Sequence, residues 1–125
     1  MRAFTRRVYR VLGALAIVAG IAAFVKPSLV LGADATTNLT GHLIREEASA
    51  FVFIGLMFLW CARHFDQRRP VHVALIVFSV LWAGAHWVEY ARDLRRIGSP
   101  LVNSGPFAIL AITLPRGSRL PERPA

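Results

Sequence analysis

Two histidine–carboxylate pairs are the residues of this chain best placed to do chemistry. His42 and Glu46 stand four residues apart and His86 and Glu89 three apart, spacings that put each pair on one face of a helix. Arg45 and Glu47 flank the first pair, while Asn103 and Ser104 bring polar side chains to the start of the last apolar run. Two imidazoles and two carboxylates could hold a divalent metal, and Glu-x-x-His pairs do so in the cores of helical bundles. Here the order is reversed, as His86-Trp87-Val88-Glu89. Ion pairing of Glu46 or Glu89 with Arg45, Lys26 or Arg92 is the favoured reading, because charged groups near a membrane interface pair with one another or reach water. The two glutamates early in a helix also suit the positive end of its dipole.

A haem needs a different pattern, with ligands at matching depths on two helices. His72 and His86 lie fourteen residues apart on one apolar stretch, about 21 Å along a helix, whereas His42 and His64 lie twenty-two apart, about 33 Å. At most one end could match. A b-type haem is therefore disfavoured, with His72 expected to cap a helix or lie at an interface and His86 to be hydrogen-bonded. Cys61 is the single cysteine, which leaves no intrachain disulfide and reads as a small apolar filler near a helix end. The chain has no nucleophile beside a base, no phosphate-cradling glycine loop and no CxxC motif. A self-contained enzyme is hard to build from these residues, and no cofactor is predicted.

The elements that must position these groups are long and apolar. Residues 71–90, VHVALIVFSVLWAGAHWVEY, give about 30 Å of helix, the thickness of a bilayer's hydrocarbon core. Arg68, Arg69 and Pro70 precede this stretch and Arg92, Arg95 and Arg96 follow it, so both ends carry cations that are costly to bring into lipid. With 55% hydrophobic and 18% charged residues, the 125-residue chain is too apolar for an ordinary soluble domain. The net charge of +8 would suit a nucleic acid, but the arginines form short clusters between apolar runs rather than a basic face. A nucleic-acid partner is excluded on that ground.

The other spans follow from the same reasoning. MRAFTRRVYR carries four arginines and no acid, and residues 11–25 contain no charge. Ala33-Asp34-Ala35 offers a signal-peptide cleavage pattern, but it lies well beyond Lys26-Pro27, where a helix must stop. An uncleaved first span over residues 8–25 is the better reading, with the small residues Ala16 and Gly20, and Ala19 and Ala23, letting a neighbouring helix approach closely. Residues 26–40 form a loop, with a cap in the Thr37 to Thr40 region. A second span covers 43–62, a short hairpin connection covers 63–70, and the third span is 71–90. The last apolar run predicts a fourth span at 97–114, irregular at its start because of Pro100 and Pro106. Residues 115–125 form a flexible polar tail.

Four spans with short connections predict an antiparallel up-and-down bundle. With the N-terminus in the cytoplasm, ten basic residues fall inside and five outside, whereas five of the seven acids fall outside. That asymmetry places both termini in the cytoplasm. Tyr9 and Trp60 then lie at the inner interface and Trp87 and Tyr90 at the outer one. In this topology His42, Arg45, Glu46, Glu47, His86, Glu89 and Asn103 gather at the outer pole, which becomes the candidate site.

This layout resembles the DoxX-like superfamily of small bacterial four-helix membrane proteins. The resemblance runs over about residues 8–114 and is carried by Arg10, Gly13, Gly20 and Pro27, by Arg45-Glu46-Glu47 with Gly55-Leu56, and by Gly98-Ser99-Pro100. The chain departs from the pattern at His86, where an arginine is expected, and in lacking an acid in the fourth span. The resemblance implies a bundle fold and an accessory role, some relatives being associated with membrane redox complexes, and it assigns no catalytic residue. The expected protein is thus an all-α integral membrane protein of one domain, residues 1–125, in a bacterial inner membrane. Its expected function is that of an accessory or assembly subunit in contact with lipid and with other membrane subunits or further copies of itself. A membrane oxidoreductase or cofactor-binding subunit using the outer pole is the alternative. A small transporter is a third reading, disfavoured because the middle of every span lacks ionisable groups.

Overall fold

A computed structural model of the chain describes residues 2–31, 38–93 and 97–114. Among them all regular structure is helical: α1 (Arg2–Val25), α2 (Ser28–Leu31), α3 (Asn38–Arg63), α4 (Arg69–Asp93) and α5 (Gly98–Ile112). The four long helices coincide with the four apolar runs. Their ends differ from the expected spans because hydropathy marks what lipid tolerates, whereas backbone hydrogen bonding continues wherever propensity allows. Thus α1 begins at Arg2 rather than residue 8, its arginines being good helix formers. The start of α3 takes in the polar turn before Leu43. Pro70 falls at the second residue of α4, where its missing N–H is not needed.

Two differences are local. The expected loop over 26–40 contains the single turn α2, entered by bonds from the Leu29 amide to the Lys26 carbonyl and from Val30 to Pro27, each 3.0 Å. The last helix runs on through Pro106, although proline there supplies no amide to the carbonyl four residues back. Pro100 sits in the first turn, where no such bond is lost. The cleavage pattern at Ala33-Asp34-Ala35, the capping position Thr37, Arg95, Arg96 and the tail 115–125 lie outside the described residues.

Two units divide the chain, Met1–Leu75 and Ile76–Ala125. In the first, α1 and α3 run antiparallel and approach at three glycines. A Cβ built at Gly13 would lie 2.9 Å from the Gly55 carbonyl oxygen, one at Gly55 2.8 Å from the Gly13 carbonyl, and one at Gly20 2.8 Å from the Ala48 carbonyl. Only hydrogen fits between backbones this close, and the gain is dispersion along the crossing. The small-residue stripe expected from Ala16, Gly20, Ala19 and Ala23 is therefore displaced to Gly13 and Gly20, with Ala19 exposed. Ile44, Ala48, Phe58, Cys61 and Ala62 of α3 complete this buried face.

In the second unit the latter part of α4 and α5 are antiparallel, with His86 beside Ser99 and Trp82 beside Asn103. Ser79, Ala83, Pro100 and Leu110 are buried there.

The stretches Arg2–Val25 and Arg69–Arg92, 24 residues each, are long and apolar enough to cross a membrane. The apolar part of α3 is shorter, since Arg45, Glu46 and Glu47 precede it and Arg63 ends it, and α5 is a shorter apolar helix of 15 residues. Much of this apolar surface faces outward: Val18 is 66%, Leu81 68% and Ile112 82% exposed.

Candidate functional site

The residues expected at the outer pole are divided between the two units. On α3, His42 Nε2 lies 3.2 Å from Glu46 Oε1, the i,i+4 contact that the spacing implies, with both side chains exposed. Arg45 and Glu47 are exposed as well. The Arg45 carbonyl accepts a 2.8 Å bond from the Ser49 hydroxyl, and Arg45 lines a shallow cleft with Lys26, Pro27 and Asn38.

The other half is better ordered by hydrogen bonds. His86 Nδ1 lies 3.7 Å from Glu89 Oε2 and 3.1 Å from the Ser99 hydroxyl. Asn103 Oδ1 accepts from the Trp82 indole at 2.9 Å, and its Nδ2 donates to the Ser99 carbonyl at 2.9 Å. Ser104 accepts from the Trp87 indole at 3.1 Å while its hydroxyl donates to the Pro100 carbonyl. Each indole N–H thus finds an oxygen on the neighbouring helix, as an aromatic ring in apolar surroundings requires. The spacing of Ser99, Asn103 and Ser104 along α5 creates this ladder. His86 and Asn103, expected as site residues, are joined through Ser99. Among the described residues no three of His, Cys, Asp and Glu cluster as metal ligands.

A second polar constellation lies elsewhere in the first unit, and sequence reasoning missed it. Tyr9 on α1 and His72 in the first turns of α4 are both fully buried, and the tyrosine hydroxyl is hydrogen-bonded to His72 Nδ1. If the hydroxyl donates, the neutral imidazole carries its proton on Nε2. The Tyr9 ring meets Phe65 edge-on at 6.4 Å, His72 edge-on at 5.7 Å and Phe58 at 6.4 Å. Arg68 lies over Phe65, its guanidinium carbon 3.5 Å from the ring centroid, and donates through Nη1 to the Phe65 carbonyl. The same arginine neighbours the Tyr9 hydroxyl and the Cys61 thiol, and Cys61 Sγ lies 4.0 Å from its carbonyl.

The local sequence explains this arrangement. Arg63 ends α3, residues 64–68 turn, and Arg69 opens α4, so Phe65 and His72 are turned towards the start of α1 from the two sides of a short connection. Thr5 and Tyr9, four residues apart, form the buried face of that first stretch. The signal available in the sequence was positional: Tyr9 and His72 both stand near the starts of their helices, which the alternating up-and-down order of the spans puts at the same end. Hydropathy alone placed each at an interface.

No family model matches this chain, and neither a curated protein nor a solved structure does. The fold defines an all-helical chain with two helices long and apolar enough to cross a membrane.

Proposed function

We propose that the chain is a multi-pass membrane protein that serves as an accessory or assembly subunit of a larger complex. The observation that carries this reading is the outward apolar surface of helices that already pack together. On α3, Phe58 turns inward to Tyr9, whereas Phe53 on the same helix remains 60% exposed. Val18 of α1 is likewise 66% exposed, and outward side chains this apolar are left for lipid or another subunit to cover. Polar side chains satisfied locally, as in the Trp82–Asn103 and Trp87–Ser104 bonds, fit a structural component better than a reaction centre.

In this reading all four long helices cross the inner membrane as an antiparallel bundle, both termini are cytoplasmic, and α5 spans with its short apolar length at the expense of local bilayer thinning. Membership of the DoxX-like superfamily remains part of the proposal. Three glycines of the resemblance, Gly13, Gly20 and Gly55, lie where α1 and α3 touch.

Photo-cross-linkers placed at Phe53 and at Val18 in native membranes test it. A discrete adduct with a second polypeptide from at least one position is expected. Adducts with lipid alone from both positions would overturn the subunit role, and an absorbing cofactor copurifying with the chain would favour the cofactor-binding alternative.

A further inference from the structure

We infer that the arginine-rich end of the first unit binds the phosphate of an anionic lipid headgroup, with Arg6 and Arg68 as the principal contacts. The inference rests on the membrane reading above. Residues 2–10 and 63–69 carry seven arginines against one acid, Asp66. That acid is engaged by Arg2, Nη1 to Oδ1 at 3.7 Å, with both side chains exposed.

Arg6 and Arg68 instead converge on one aromatic ring. Their guanidinium carbons lie 4.9 and 3.5 Å from the Phe65 centroid. A ring quadrupole attracts each cation, but two cations on the same ring repel one another, and no carboxylate among the described residues pairs with either. Arg68 is held on one side by its bond to the Phe65 carbonyl, while its buried Nε has no hydrogen-bond acceptor among the described residues. A buried donor without an acceptor is costly, and an anion with several acceptor oxygens meeting the half-buried guanidinium from outside would screen the two cations. Phosphate fits planar guanidinium donors in this way.

The position selects a lipid as the source. Phe65 lies in the connection between α3 and α4, and Arg6 stands just before the apolar run of α1. Helix ends that leave the hydrocarbon place their arginines at headgroup depth, where anionic lipids of the cytoplasmic leaflet present phosphate.

The test uses the full chain in a mild non-ionic detergent, with native mass spectrometry during titration with phosphatidylglycerol or phosphatidylcholine. Phosphatidylglycerol should be retained preferentially. Arg6→Gln and Arg68→Gln should each weaken its retention about fivefold, and Arg7→Gln, an exposed arginine on the side of α1 opposite the buried Thr5 and Tyr9, by less than about twofold. Since Arg68 packs on a core ring, its variant is also checked for helicity, and the exposed Arg6 carries the test independently. Equal retention of the two lipids, equal losses in all three variants, or displacement of lipid by inorganic phosphate at matched ionic strength would each overturn the headgroup site. Failure of the membrane reading would show separately, as release of the chain from membranes by alkaline carbonate.

Discussion

The Tyr9 hydroxyl and His72 Nδ1 are hydrogen-bonded across sixty-three residues of sequence, with both side chains fully buried. The bond ties the start of α1 to the start of α4 within the first unit, in surroundings where water cannot replace a lost partner. Tyr9→Phe keeps the ring contacts with Phe58 and Phe65 and removes only the hydroxyl. We expect it to lower stability by about 1–3 kcal/mol, because Nδ1 loses its partner. His72→Leu should cost a similar amount, and the double variant less than the sum, with a coupling of about 0.5–2 kcal/mol. Thermal unfolding in detergent measures all three; strict additivity would mean that the bond contributes nothing.

The glycine crossing makes a contrasting prediction. Gly55→Ala places a methyl group 2.6 Å from Ile17 Cγ1 and 2.8 Å from the Gly13 carbonyl, so the helices must separate. A loss of about 1–3 kcal/mol is expected. Gly84 has open space around its Cα, and Gly84→Ala should be neutral or stabilising by up to about 1 kcal/mol through helix propensity. Similar melting temperatures for the two variants would remove the close packing of α1 on α3.

The two halves of the expected outer pole should respond differently to substitution. His42 and Glu46 are exposed, and His42→Gln should change stability by no more than about 0.5 kcal/mol. Asn103 accepts from Trp82 and donates to the Ser99 carbonyl. Asn103→Ala leaves both without their partner and should cost about 1–3 kcal/mol. Chemical unfolding curves separate the cases, and a neutral Asn103→Ala that abolished binding of a partner would make that residue functional rather than structural.

Much of the helical layout was legible because a run of apolar residues bounded by arginines has few other uses. The boundaries were less so: Arg2 to Arg7 and Asn38 to His42 are polar, and hydropathy does not register helices that continue through polar turns. The single turn at Ser28–Leu31 is too short for any periodicity to mark it. Side-chain pairings within one helix, His42 with Glu46 and His86 with Glu89, follow from spacing alone and are present. Pairings between helices depend on rotation about each axis, which one sequence does not reveal. For that reason Gly13 was a motif residue whose packing role went unread, and Tyr9 and His72 were assigned to interfaces rather than to each other.

Orientation offers an independent check. The arginine distribution predicts a cytoplasmic C-terminus, so a reporter active only in the periplasm should stay silent when fused after Ala125. Strong activity would reverse the topology and move the Arg6–Arg68 end to the opposite leaflet.

The subunit role is tested most directly by solubilising native membranes in a mild detergent and isolating the tagged chain with whatever it holds. A second membrane polypeptide in fixed stoichiometry, retained through size-exclusion chromatography, is the predicted result. Recovery of the chain only as a monomer, with its outward apolar faces covered by detergent and lipid alone, would contradict it.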